Sequence, residues 1–233
     1  MKLDILAIAP HPDDVELGCG GTLAKAVEQG KKIGIIDLTR GELGTRGTPE
    51  IRMKEADNAA KILGAVAREN LGMRDGFFEN NDENKLAIIR MIRKYRPEIV
   101  IASALEDRHP DHGRAATLIK EATFLSGLKM IDTGQEPWRP NNIFHIIQWR
   151  SLQPDFVVDI SGYLQTKIDA CMAYESQFYN PNSDEPETAI SSKNFQESIN
   201  YRAQELGRLI WKDAGEGFMT ESLLGVDNLD VFL

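Results

Sequence analysis

The chain has 233 residues, enough for one large domain with a substantial core, and its 42% hydrophobic and 27% charged residues are those of an ordinary folded protein. A formal charge of −9 with no dense basic run argues against nucleic acid or an anionic membrane surface as partner. No apolar stretch approaches the roughly 20 residues that span a bilayer, the start Met1-Lys2-Leu3-Asp4 lacks the run of a signal peptide, and Cys19 and Cys171 form no CxxC pair. A reducing cytoplasm is the expected compartment.

In chain order, the apolar run Leu3 to Ala9 predicts a strand, and Thr22 to Gln29 a helix closed by Gly30. Lys32 to Leu38 is a second strand, its continuous core Ile33-Gly34-Ile35-Ile36 suiting a sheet covered on both faces. After a glycine-punctuated loop, Thr48-Pro49 opens a helix as cap and first-turn proline, running to Leu63 and Gly64. Val66 to Leu71 is a weaker strand. Asp82 to Tyr95 is a helix with Leu86, Ile89 and Ile92 at helical spacing, ended by Pro97. Glu98 to Ser103 is the fourth strand and Gly113 to Leu125 the helix after it. Asn142 to Trp149 and Phe156 to Ile160 are further strands, and Ser161 is expected to cap a helix to about Tyr174. Asn180 to Ser192 is an exposed loop, Phe195 to Trp211 a last helix, and the tail from Asp213 irregular. No repeat or domain boundary interrupts the chain, so residues 1–233 are expected to form a single domain.

Strands alternating with helices at this spacing predict an α/β fold, a Rossmann-like, doubly wound, mostly parallel sheet with helices on both faces. In the order 3-2-1-4 the first and fourth strands are neighbours at the topological switch point, where such sheets bind ligands.

Two stretches follow those two strands. His11-Pro12-Asp13-Asp14 leaves the first, and Arg108-His109-Pro110-Asp111-His112 the fourth; together they hold three of the four histidines. Carboxylates at the exit of a buried strand need a partner. A divalent cation would be one, since His11 and Asp14 offer a nitrogen and an oxygen and the second stretch can add a third ligand. Plain alternatives exist for each stretch alone: carboxylates capping a helix in water, or Asp111 as an N-cap. Their convergence at one crevice favours a single site. The fingerprint G-x-G-x-x-G fails at Leu23, so Gly18, Gly20 and Gly21 read as close helix packing. His145 reads as a core or edge histidine, and Cys19 and Cys171 as small apolar residues. Of Arg40, Arg46 and Arg52 near the loop after the second strand, Arg52 suits an anionic substrate group.

The two histidine stretches, in this order and topology, resemble the zinc-dependent N-acetylglucosaminyl deacetylases of the LmbE/PIG-L type, over a span reaching Glu216-Gly217-Phe218. Glu106-Asp107-Arg108-His109-Pro110-Asp111-His112 and Ala173-Tyr174-Glu175-Ser176-Gln177-Phe178 resemble the bacillithiol-pathway branch, which removes acetate from N-acetylglucosaminyl malate. The resemblance implies that His11, Asp14 and His112 hold the metal, Zn2+ with Fe2+ possible in the cell. It implies that Asp13 is the general base, that His109 stabilises or protonates the departing groups, and that Asp111 orients His109. Arg52 and Arg108 would lie near the sugar or malate, Phe195 would stand where the family often has a tyrosine, and the assembly would be a homo-oligomer, a hexamer. Three ligands with an open position suit catalytic zinc. Alternatives are a deacetylase of another N-acetylglucosaminide, a thiol conjugate amidase, a non-haem iron oxygenase sharing the His-Asp-His ligands, and a nucleotide-binding module without catalysis.

Overall fold

The computed structural model describes residues 1–232. Seven strands form one sheet: β1 (Ile5–Ala9), β2 (Ile33–Thr39), β3 (Ala67–Met73), β4 (Ile99–Ala102), β5 (Asn142–Ile146), β6 (Phe156–Asp159) and β7 (Gly215–Thr220). Their order is β3-β2-β1-β4-β5-β7-β6, which contains the expected 3-2-1-4. β3 through β5 pair in parallel, and β7 runs antiparallel between β5 and β6. The helices are α1 (Asp14–Glu28), α2 (Pro49–Leu63), α3 (Asp82–Tyr95), α4 (Pro110–Ser126), α5 (Leu164–Met172) and α6 (Lys193–Leu209), with a 3-10 turn at Leu229–Phe232.

Alternation along β1 divides the core. Ile5, Ala7 and Ala9 point to one face, against residues of α1, α2, α5 and α6 such as Leu23, Ala59, Ala170 and Ile199. Leu6 and Ile8 point to the other, against Ile88, Ile89 and Ile92 of α3 and Leu118 and Ile119 of α4. Both faces are therefore covered, which is why β1 and β2 read as unbroken apolar runs. Among the described residues, no helix is long and apolar enough to cross a membrane.

Three expectations need correction. α1 begins at Asp14 rather than Thr22, because the Gly18-Cys19-Gly20-Gly21 run is helical with a kink at Cys19 (φ −146°). Those glycines do serve close packing: a Cβ on Gly18 would stand 2.4 Å from Ile146 Cδ1, and one on Gly21 2.7 Å from Ile160 Cδ1. Ser161 does not cap α5, whose N-cap is Tyr163; its hydroxyl instead accepts the backbone N–H groups of Asp213 and Ala214. The tail after Asp213 is not irregular at first, since it supplies β7, with Glu216 and Phe218 buried. The 180–192 segment is irregular as expected, but Arg46, itself buried, fastens it through Ser183 Oγ at 2.8 Å and Glu185 at 3.4 Å.

Candidate metal centre and active-site cavity

β1 ends at Ala9, and the chain turns at once into α1. The turn is pinned from β2, where Thr39 donates both its backbone N–H and its hydroxyl to the Pro10 carbonyl. His11 closes the turn by donating its backbone N–H to Asp14 Oδ2 at 2.9 Å. On the neighbouring strand, α4 starts at Pro110 with His109 as its N-cap, so Asp111 is not the cap and His112 sits on the first turn. The two turns face each other.

His11 Nδ1 lies 3.1 Å from Asp14 Oδ2, and His112 Nε2 lies 3.3 Å from Asp14 Oδ1. Bonds of 2.0–2.1 Å at a tetrahedral ion place neighbouring ligand atoms about 3.3 Å apart. The separations from the two Asp14 oxygens are of that order, and nitrogens of His11, His109 and His112 lie within 4.8 Å of one another, so this cluster of imidazoles and a carboxylate suits a borderline divalent ion such as zinc. Each histidine is backed on its far nitrogen: His11 Nε2 by Asp75 Oδ1 at 3.0 Å, His112 Nδ1 by Asp107 Oδ1 at 3.3 Å without good hydrogen-bond alignment. Carboxylates in that position fix the tautomer that leaves the other nitrogen free for a metal. Burial disfavours charge on His11, but hydrogen bonds to Asp111, Asp14 and Asp75 hold its pKa well above 6.5. Burial likewise opposes charge on His112, and Asp14 with Asp107 raises it to about 9.

His109 stands in the same cluster, its ring 4.8 Å from that of His11 and 5.2 Å from that of His112. Its Nδ1 accepts the Asp111 backbone N–H at 3.3 Å, so the neutral ring carries its proton on Nε2 and presents a donor rather than a metal lone pair. Burial and the two neighbouring histidines lower its pKa. The contact that orients His109 thus comes from the Asp111 backbone. The Asp111 carboxylate goes elsewhere, to Arg114 at 2.6 Å, the Gly76 N–H at 2.8 Å and His11 Nε2 at 3.4 Å.

Asp13 is the strained residue of the loop, with φ 115° in the left-handed region. It is the N-cap of α1 yet makes no side-chain cap bond. Its Oδ2 instead accepts from Arg52 Nη2 at 2.8 Å, the same nitrogen that holds the Pro12 carbonyl at 2.6 Å. Burial pushes the Asp13 carboxyl up to about 7, with Arg52 pulling against it.

The PIG-L family model, described as GlcNAc-PI de-N-acetylase, matches residues 6–123, which include both histidine stretches. The chain belongs to the PIG-L family. Diacetylchitobiose deacetylase of Thermococcus kodakarensis is 32% identical over 75% of this chain and 70% of its own length. The Bacillus cereus protein named "Probable N-acetyl-alpha-D-glucosaminyl L-malate deacetylase 2" is 26% identical over 76% of this chain and 84% of its own. Among solved structures, the conserved protein TT1542 of Thermus thermophilus superposes with a TM-score of 0.88 at 38% identity, covering 97% of this chain and 98% of that one.

In this PIG-L chain the candidate metal centre floors a cavity of about 460 Å3. Arg52 and Arg108 both line it, in different ways. Arg52 is buried and bonded to Asp13, whereas Arg108 is exposed at the rim, its guanidinium 4.1 Å from the centre of the Trp149 ring. Phe195 lines the wall, stacked between Trp149 and Phe178. His145 is away from the cavity, fully buried, its Nδ1 donating to the Ser103 carbonyl at 2.9 Å, as a core histidine does. Beside Asp107, which backs His112, three residues that sequence reasoning missed complete the site. Asp75 backs His11, Gln148 donates to Asp14 Oδ1 at 2.5 Å, and Arg202 reaches the cavity from α6. For Asp75 the sequence did hold a signal, since Arg74-Asp75-Gly76 leaves β3 at the same edge of the sheet as the two histidine stretches.

Proposed function

We propose that this chain is a metal-dependent deacetylase of an N-acetylglucosaminide, with His11, Asp14 and His112 as the ligands of a zinc ion. The supporting observation is the pair of separations around Asp14, 3.1 Å to His11 and 3.3 Å to His112, on the floor of a cavity wide enough for a sugar. When bound there, the ion would polarise the amide carbonyl and acidify water. Asp13 takes the proton of the water that attacks the carbonyl carbon, its carboxylate held in place by Arg52. His109 donates a hydrogen bond from Nε2–H to the oxyanion as it forms, and the proton that Asp13 took from water passes to the nitrogen, so that the C–N bond breaks to a neutral amine and acetic acid, which ionises to acetate. Asp111 positions both histidines, His109 through its backbone and His11 through its carboxylate. Arg52 enters this reading as the partner of Asp13, and Arg108 as the rim residue that meets the sugar or its aglycone.

The finer reading of the substrate is N-acetylglucosaminyl malate, supported by the Bacillus cereus relative and by the EDRHPDH and AYESQF stretches. The higher identity of the Thermococcus relative favours diacetylchitobiose as the second reading. Residues 1–233 act in this reading as one domain, in the cytoplasm, within a homo-oligomer that the family resemblance makes a hexamer. The test is to incubate the zinc-loaded protein with a panel of N-acetylglucosaminides and measure free amine and acetate. Deacetylation that a chelator abolishes and zinc restores is expected. Activity indifferent to the chelator, or no acetate from any of the panel, refutes the proposal.

A further inference from the structure

One face of α6 forms the wall of the cavity opposite the metal centre. Phe195, Ser198, Ile199, Arg202, Ala203 and Leu206 recur on it at helical spacing, and all six line the cavity. Five are apolar or neutral; Arg202 is the charged one. Its side chain is half-buried, and among the described residues its guanidinium makes no hydrogen bond and no ion pair. The other inward arginines are all engaged. Arg68 pairs with Glu16 and Asp37, Arg93 holds four backbone carbonyls, Arg52 holds Asp13, and Arg46 holds Ser183. Leaving a partly desolvated guanidinium without a partner is unfavourable. Burial acts on Arg202 accordingly, lowering its pKa, against the opposing charge of Asp107 across the cavity. Asp107 is engaged with His112 and with the backbone N–H groups of His109 and Trp149, so it is not the missing partner.

We infer that Arg202 receives an oxyanion, a carboxylate or a phosphate, carried by the aglycone of the substrate. This rests on the deacetylase reading above and sharpens it, since an anionic aglycone separates N-acetylglucosaminyl malate from a neutral chitobiose. The planar fork of arginine matches both oxyanions, two N–H groups to two oxygens. Arg108 on Trp149 adds a second positive charge at the mouth, in a chain whose overall charge is −9. Both guanidinia line the same cavity, as do Trp149 and Phe195, whose stacked rings can cover the apolar face of a sugar ring.

The experiment compares three glycosides that share the N-acetylglucosaminyl group: the carboxymethyl glycoside, its uncharged carboxamide, and N-acetylglucosamine 1-phosphate. The quantity read is the ratio of kcat/KM on each anion to kcat/KM on the carboxamide, for the zinc-loaded wild type, Arg202→Gln and Arg202→Lys. The wild-type ratio should exceed unity for at least one anion, identifying carboxylate or phosphate. In Arg202→Gln it should fall roughly tenfold or more, mainly through KM, the signature of a lost anchor. Arg202→Lys should restore part of it, since the charge returns without the fork. An unchanged ratio in Arg202→Gln, or a wild-type ratio near one for both anions, overturns the inference. If the wild type cleaves none of the three, the deacetylase reading fails by itself, and calorimetric titration with N-acetylglucosamine 1-phosphate and with the carboxymethyl glycoside decides the anion site. Binding weakened roughly tenfold or more in Arg202→Gln keeps the inference; equal binding, or none by the wild type, overturns it.

Discussion

Asp75→Asn tests the metal centre through a residue that touches no proposed step of the chemistry. The two oxygens of Asp75 are both acceptors in use, Oδ1 for His11 Nε2 at 3.0 Å and Oδ2 for the Leu43 N–H at 3.0 Å. An asparagine has one accepting and one donating end. If its oxygen serves His11, its NH2 faces the Leu43 N–H, donor against donor. If it turns round, the NH2 points at His11 Nε2 and drives the ring proton to Nδ1, the nitrogen that faces Asp14 and the proposed ion. Either arrangement loses a hydrogen bond in a site where His11 and Asp75 are both buried, worth about 1–3 kcal/mol. Loss of a carboxylate behind a metal-binding histidine costs roughly 10–100-fold in metal affinity, about 1.4–2.7 kcal/mol. The assay is zinc competition against a chromophoric chelator on metal-stripped protein, with circular dichroism to show that the fold is kept. A zinc Kd raised roughly tenfold or more is expected. A Kd within about twofold of wild type would mean that Asp75 does not hold His11 in the metal-binding tautomer, and the account of that contact would fall.

Asp13→Asn should keep bound zinc and the fold while kcat drops by roughly 10²–10⁴-fold, whereas Asp14→Asn should lose zinc together with activity; metal analysis beside turnover would expose a reversal of the two roles. Arg52→Ala should lower kcat more than it raises KM, since Arg52 is bonded to Asp13 and to the Pro12 carbonyl; steady-state kinetics with the change confined to KM would put Arg52 on the substrate instead. Glu216→Ala should destabilise the fold by about 3–5 kcal/mol, because it leaves the buried Lys167 ammonium without its carboxylate. It also strips the acceptor from the Gly21 and Thr22 N–H groups beyond the kink in α1. A loss below about 1 kcal/mol in urea unfolding would contradict that account.

The parallel half of the sheet was legible because burial on both faces writes itself as an apolar run, as in β1 and β2, and α3 because its apolar residues keep helical period. β7 was not legible. Gly215, Gly217 and a buried Glu216 break the pattern that marks a strand, and the glycines are there for reasons only the packed sheet reveals: a Cβ on Gly215 would stand 2.6 Å from Val157 Cγ1. The start of α1 was hidden in the same way: Gly18-Cys19-Gly20-Gly21 carries too little side chain to show a helical pattern, so the sequence pattern starts the helix at Thr22. Only the packed Ile146 and Ile160 show that the run itself is helical with glycine at the contacts. Within the site, His11, Asp13, Asp14, His109, Asp111 and His112 announced themselves by crowding at two strand ends. Asp75 left only its place at the end of β3 as a signal, and Gln148 and Arg202 stand alone in the chain, on separate segments that only the fold gathers at one cavity.

The backbone at Asp13 bears on why the two adjacent aspartates differ. A non-glycine residue at φ 115° costs about 1–3 kcal/mol and persists only where its surroundings hold it. Here they do: Arg52 Nη2 grips both Pro12 and Asp13, the Leu17 N–H takes the Asp13 carbonyl at 3.0 Å, and Thr39 fixes Pro10 from the adjacent strand. A relaxed aspartate at this N-cap would turn its carboxylate onto the first N–H groups of α1, a bond typically worth about 1 kcal/mol. That bond is absent, and the helix starts uncapped by its own cap residue. Asp13 thus carries two local penalties that Asp14, helical and hydrogen-bonded to the His11 N–H, does not. Both penalties have one structural effect, which is to hold a buried carboxylate away from the helix and against the cavity beside the histidines. A loop selected for stability alone would relax there; one selected to present a proton acceptor at that point would not.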